Sequence, residues 1–147
     1  MRLTAVILAA GQGTRMKSDL PKVLHPLAGR PLVEYAVETA LAVTGVPPVL
    51  VIGYGSEQVR AILGDRARYV LQERQLGTGH AVLQARSALA GQADAVLVFY
   101  ADMPLLTAAT LRAIVAGYEC SGGVMSFLTL IANDPRGFGR VDRKSVV

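Results

Sequence analysis

The apolar run Leu3–Ala9 leads straight into Ala10-Gly11-Gln12-Gly13-Thr14-Arg15-Met16-Lys17, and Leu20-Pro21-Lys22 follows a few residues later. A glycine-rich turn at the carboxyl end of a first strand is where open α/β sheets bind phosphates, because backbone N–H groups can approach an anion where no Cβ intervenes. Two common phosphate loops are eliminated. The dinucleotide pattern G-x-G-x-x-G needs glycine where Met16 stands, and so does Walker A, although Gly11, Lys17 and Ser18 fit the latter. What remains is a backbone cradle with a guanidinium, Arg15, inside it and an ammonium, Lys22, beside it. Mobile positive charge of this kind stabilises phosphoryl transfer. The chain has three lysines, Lys17, Lys22 and Lys144, against twelve arginines, and two of the three follow the glycine turn. That choice suits a position needing a compact, flexible cation.

Other polar residues sit at the ends of apolar runs. Asp102 follows Ala95–Phe99, Gln72 follows Arg68–Leu71, and Gly77-Thr78-Gly79 opens a helical stretch. Taken singly, a strand-end Asp is more often a turn cap than a ligand, and Gln72 is an ordinary polar strand end. His25 and His80 have no His, Cys or acidic residue at ligand spacing and are read as structural. One cysteine, Cys120, excludes a disulfide framework and a Cys-based zinc site within the chain. Its apolar helical context predicts a buried structural thiol.

These residues need elements to position them, and the periodicity supplies alternating strands and helices. Strands are predicted at Leu3–Ala9, Val49–Ile52, Arg68–Leu71, Ala95–Phe99 and Val124–Leu130. Pro31 at N1 opens a helix carrying Leu32, Val33, Ala36, Val37, Ala40 and Leu41, with Gly45 past its end. Ser56 is expected to cap Glu57–Leu63 before Gly64, and Thr78 to cap a helix through Leu89 that stops at Gly91. Thr107 caps a fourth, with Leu111, Ile114 and Val115 inward. Continuous apolar strands such as Ala95–Phe99 suit burial on both faces, so the expectation is a Rossmann-like three-layer α/β/α fold with a mostly parallel sheet.

With 147 residues, 52% hydrophobic and 18% charged, the chain has the composition of one ordered domain. A net charge of +4 without a basic run argues against nucleic acid as partner. No apolar run is long enough to span a membrane, and Leu3–Ala10 meets a glycine loop, not a signal-cleavage pattern, so a cytoplasmic location is expected. Asp134–Val141 reads as a loop entering another strand. The closing string Asp142–Val147 is one reading frame of a common short-read sequencing adapter, so 142–147 is expected to be a non-native tail. The domain would then cover 1–141 and be incomplete at its C-terminus.

Four segments carry a resemblance: Leu8–Met16, Asp19–Gly29, Gln72 with Gln75–Ala81, and Tyr100–Leu105, with a weaker fifth at Gly137–Arg140. On these the chain resembles the sugar-phosphate nucleotidyltransferases. Within them it is most similar to the uridylyltransferase half of the bacterial bifunctional N-acetylglucosamine-1-phosphate uridylyltransferase/glucosamine-1-phosphate acetyltransferases. The second and third segments are the more specific ones, and the likeness spans residues 3–141.

The resemblance implies a nucleotide site lined by Leu8, Ala9, Ala10, Gly11, Gly13 and Thr14, with Gln72, Gly77 and Thr78 reading the base and Tyr100 and Ala101 beside the nucleotide. Arg15 and Lys22 would be catalytic, holding phosphates as pyrophosphate leaves. Asp102 would ligate Mg²⁺, a hard cation on a hard ligand, and Gly139 would meet the sugar. The implied partners are UTP and a sugar 1-phosphate, N-acetylglucosamine 1-phosphate in the first instance, with an oligomer of the full-length protein left open. Ala101 departs from the family's usual glycine and is expected to crowd the ribose; the Ala-Asp-Met-Pro form also resembles the molybdopterin cytidylyl- and guanylyltransferases. The family's acetylglucosamine contacts and a second Mg²⁺ ligand lie beyond position 147, so this chain alone is expected to be inactive. The alternatives are therefore a relative using another base or sugar phosphate, and a nucleotide-binding module without turnover.

Overall fold

The computed structural model describes residues 1–13, 16–134, 136–137, 139 and 141. Thr14, Arg15 and the expected tail 142–147 lie outside the described residues. The chain divides into two compact units, Met1–Arg112 and Ala113 onward.

In the first unit, β1 (Leu3–Ala9) is followed by a two-residue hairpin, β2 (Pro26–Leu27) and β3 (Arg30–Pro31), and then by α1 (Leu32–Thr44). Next come β4 (Val49–Ile52), α2 (Ser56–Leu63), β5 (Arg68–Leu71), α3 (Thr78–Gln84), α4 (Arg86–Leu89) and β6 (Ala95–Tyr100); the last helix, α5 (Ala108–Ser121), begins in the first unit and ends in the second. The main sheet has the order β5-β4-β1-β6, all parallel. The predicted strands at 3–9, 49–52 and 68–71 appear with those bounds, and the fourth gains Tyr100.

Parallel strands are joined by right-handed crossovers. The chain steps from β1 to β4 to β5 in one direction and then returns past β1 to β6, so α1 and α2 lie on one face and α3 and α4 on the other. The core agrees: Val6, Leu8, Val49 and Val51 cluster with Ala81 and Ala85, and Val82, Ala88 and Leu89 pack against them. On the opposite face α1 packs on β1, burying Val33, Ala36, Val37 and Ala40. Ala5, Ile7, Leu50 and Ile52 are fully buried there.

Several local expectations are corrected. Pro31 is the N-cap of α1, not its first residue, because it pairs with Pro26 in the hairpin. Ser56 is the first residue of α2, whose N-cap is Gly55 in a left-handed conformation, and Thr78 likewise begins α3 after Gly77. The predicted helix 78–89 is broken at Ala85 into α3 and α4. Thr107 does cap α5, its Oγ1 accepting from the Thr110 N–H at 3.2 Å. Of the predicted inward residues, Leu111 is buried and Ile114 and Val115 are half-buried.

β6 is not buried on both faces: Leu97 and Phe99 are covered, but Val96 and Val98 are each 41% exposed, as befits an edge strand. In the second unit the predicted strand Val124–Leu130 is absent from every ladder of the described residues, and Val124, Phe127 and Leu130 are exposed. An apolar run becomes a strand only when a neighbour takes its N–H and C=O groups. Cys120 is exposed, contrary to the buried thiol predicted, because the last turns of α5 bury no residue.

One charge pair ties the entrance of β1 to that of β6. The backbone N–H of Arg2 donates to Asp94 Oδ2 at 2.7 Å, and its Nε and Nη2 donate to Oδ1 at 3.1 and 2.7 Å. Those bonds, the side-chain ones foremost, lower the Asp94 pKa from 3.8 to about 2. A carboxylate depressed in the folded state contributes stability that is fully present above its unfolded pKa and lost as pH falls through the folded one. We expect an NMR titration to place the Asp94 midpoint near 2, and Asp94→Asn to flatten the stability profile between about pH 4 and 2. A midpoint at the ordinary carboxylate value would contradict the pairing.

Candidate nucleotide site

The carboxyl ends of parallel strands leave their terminal carbonyls and following loops on one rim, the usual place for a ligand in an open α/β sheet. Here β1, β5 and β6 run out toward a single cavity of about 470 Å³. It is lined by the rim of β1 from Leu8 through Gly11 and Gly13, by Lys22, by Gln72, Gly77 and Thr78 after β5, and by Tyr100 and Asp102 from β6. The volume is in the range of small-molecule sites.

Lys22 is placed by its neighbours. Pro21 is fully buried, and Val23 and Leu24 are buried as well, so the turn Lys22–Leu24 is anchored on both sides of the lysine. Pro21 sits against Gly55, where an added Cβ would come within 2.1 Å of Pro21 Cγ. Gly55 has φ +68°, a conformation that L side chains rarely adopt, so glycine is required twice over. Tyr54 adds a strap, its hydroxyl donating to the Asp19 carbonyl at 3.3 Å. Gly13 plays the same part on the other side, with φ +65° and only 2.5 Å between an added Cβ and Lys22 Cβ.

Across the cavity, Lys22 Nζ donates to Asp102 Oδ2. Both side chains keep part of their surface in solvent, 40% and 30%, so the pair adds little to stability and is free to exchange partners. A cation and a carboxylate facing one another beside a glycine cradle can divide a polyphosphate between them, lysine taking phosphate oxygens and aspartate a divalent cation. No group of three or more His, Cys, Asp and Glu forms a cage among the described residues. That donor set fits Mg²⁺, which is commonly held by one or two carboxylates together with substrate phosphates.

Of the residues the sequence pointed to, the structure brings together Leu8, Ala9, Ala10, Gly11, Gly13, Lys22, Gln72, Gly77, Thr78, Tyr100 and Asp102. Thr14 and Arg15 lie outside the described residues. Ala101 is fully buried, its N–H donating to the Leu8 carbonyl at 3.0 Å, so its Cβ presents no surface that could crowd a ribose. Gly139 belongs to the second unit. Sequence reasoning missed Gln75, whose Nε2 donates to the Ala10 carbonyl at 2.7 Å and so ties the β5 loop to the glycine turn. The recurrence of glutamine at 72 and 75 was the available signal. Met16, Val23 and Ala81 also line the cavity.

Residues 5–132 match the MobA-like NTP transferase domain. The chain belongs to that family. It is also 50% identical over 143 residues to the bifunctional protein GlmU of Exiguobacterium sp., covering 97% of this chain and 32% of that protein. To the GlmU of Heliobacterium modesticaldum it is 51% identical over 141 residues, covering 95% and 31%. The chain therefore spans about a third of the length of these curated relatives. Among solved structures it is similar to a nucleotidyl transferase from Methanothermobacter, with TM-score 0.69 and 29% identity over 78% of this chain and 57% of that one. A Mycobacterium tuberculosis protein crystallised with manganese has TM-score 0.66 and 25% identity, over 79% and 59%. The family is one of nucleotidyltransferases with a Rossmann-like fold, and the cavity lies where such a fold takes its nucleotide. No helix of the described residues is long and apolar enough to cross a membrane.

If Gly13 is what lets Lys22 reach the cavity, Gly13→Ala should displace the lysine and weaken binding of inorganic triphosphate by roughly tenfold, the value of one charge-assisted hydrogen bond. Calorimetric titration measures this, and an unchanged Kd would contradict the assignment. For stability, Gly55→Ala should cost more than ~1 kcal/mol in urea unfolding. Gly79→Ala, at an open helical position, should cost nothing.

Proposed function

We propose that this domain binds UTP as its Mg²⁺ complex and transfers UMP to a sugar 1-phosphate, with N-acetylglucosamine 1-phosphate the first candidate. The observation that carries the reading is the convergence of Lys22, Asp102 and Gln72 on one cavity rimmed by the glycine turn. The identity to GlmU proteins supports the choice of nucleotide and sugar.

In this reading the triphosphate lies along Gly11 and Gly13, and Lys22, with Arg15, steadies its oxygens. An oxygen of the sugar 1-phosphate attacks the α-phosphorus in line; a new P–O bond forms, the bond to the β-phosphate breaks, and pyrophosphate leaves with its electron pair. Bound Mg²⁺ supplies charge neutralisation on the phosphate oxygens, with Asp102 as its protein ligand. The protein's own share is positioning and electrostatics, without a covalent intermediate. Gln72, Gly77 and Thr78 read the base. A uracil imide offers both N–H and C=O to an amide and to backbone groups. Cytidylyl- or guanylyltransfer is the second reading, favoured by the match to the MobA-like domain.

The test is turnover in a chain extended to the length of the curated relatives, followed by pyrophosphate release from UTP and N-acetylglucosamine 1-phosphate. Lys22→Ala should lower kcat by ~10²–10³, the cost of removing one preorganised donor. A loss under tenfold would remove Lys22 from that role. Faster turnover of CTP or GTP than of UTP would favour the second reading.

A further inference from the structure

His80 has no place in the mechanism above, yet its ring is gripped at both nitrogens. Gln72 Nε2 lies 2.9 Å from His80 Nδ1, and Gln84 Nε2 lies 3.1 Å from His80 Nε2. A neutral imidazole has one N–H and one lone pair, so it cannot accept from both amides. One glutamine must present its oxygen, and burial decides which. Gln72 is 4% exposed, and its Nε2 also donates to the Gly77 carbonyl at 3.3 Å, a group that can only accept. Turning Gln72 over would set two oxygens against each other with no water to relieve them. Gln84 is only partly buried, and its one other side-chain hydrogen bond among the described residues is to His80's own carbonyl at 3.3 Å, which solvent can replace.

The arrangement is therefore directional. His80 carries its proton on Nε2, Gln84 accepts it, and His80 Nδ1 accepts from Gln72. The amide of Gln72 is then fixed end for end, its nitrogen spent on Gly77 and His80. Its Oε1 takes part in none of the hydrogen bonds among the described residues, and Gln72 itself lines the cavity.

We propose that His80 is a positioning residue for nucleobase selectivity: by accepting from Gln72 Nε2 it holds Gln72 Oε1 toward the cavity as a hydrogen-bond acceptor. The site then prefers a base whose edge offers an N–H, as an imide does, over one that offers a ring-nitrogen lone pair there, as an amino-pyrimidine does. This rests on the reading of the cavity as a nucleotide site. Loss of the Nδ1 acceptor leaves one long bond, to Gly77, to orient the amide, and the turned amide would favour the other base edge.

The experiment is competition between UTP and CTP, with Mg²⁺, for the wild-type domain, His80→Phe, His80→Asn and Gln72→Ala, beside binding of inorganic triphosphate. His80→Phe should reduce the UTP-to-CTP affinity ratio by about tenfold or more while leaving inorganic triphosphate unchanged, since only the base contact is disturbed. His80→Asn, whose Oδ1 can stand in for Nδ1, should recover most of the ratio. A ratio within twofold of wild type in His80→Phe, when Gln72→Ala lowers it, overturns the role of His80 and leaves the nucleotide site standing. Failure of wild type to bind any nucleotide overturns both. Independently of any variant's folding, ¹⁵N NMR of the wild-type imidazole should find the proton on Nε2, and a proton on Nδ1 would overturn the proposal.

Discussion

β1 is hydrogen-bonded on both edges and buried on both faces, with Ala5, Val6 and Ile7 wholly out of solvent. A strand in that position cannot satisfy its backbone by turning to water, so β4 and β6 must flank it in register, and helices must cover both sides. The rim of the cavity follows. In-register parallel neighbours end together, Leu8 beside Tyr100 and Ala9 beside Ile52, so the loops they release start from one line. The glycine turn, the seat for Pro21 and the loop bearing Asp102 are near one another because β1 has no other way to be buried.

The charged residues at that rim are placed by apolar and backbone contacts more than by each other. Lys22 reaches the cavity because Pro21 is buried against Gly55 and because Gly13 leaves room beside it. Asp102 is delivered by β6 and by the bond from the Ala101 N–H to the Leu8 carbonyl. Their ion pair is half-solvated and weakly stabilising, as the proposed function needs, since under it the two charges part when a triphosphate and a divalent cation arrive.

Much of this was legible in the chain. Apolar runs leading into Gly or Gln marked three of the strands to the residue, and eleven of the expected site residues line one cavity. What failed depended on neighbours that a local pattern does not contain. Val124–Leu130 has the composition of a strand but no ladder, and Val96 and Val98 have the apolar character of an interior strand but sit on an edge. Ser56 and Thr78 look like caps, yet glycines with positive φ precede both helices and no side-chain cap forms. His80 looked structural by spacing, and what gives it consequence is an amide brought in from another element, at a distance periodicity does not report.

The central claim is that a nucleoside triphosphate and its divalent cation share this cavity, with Asp102 on the cation and Lys22 on the phosphates. A crystal structure with UTP and Mn²⁺, located by anomalous scattering, tests it most directly. The account predicts a manganese peak within coordination distance of a carboxylate oxygen of Asp102, the Lys22–Asp102 pair separated, and the phosphates against Gly11 and Gly13. Manganese bound away from Asp102, or a nucleotide seated outside the cavity with the ion pair intact, would contradict it.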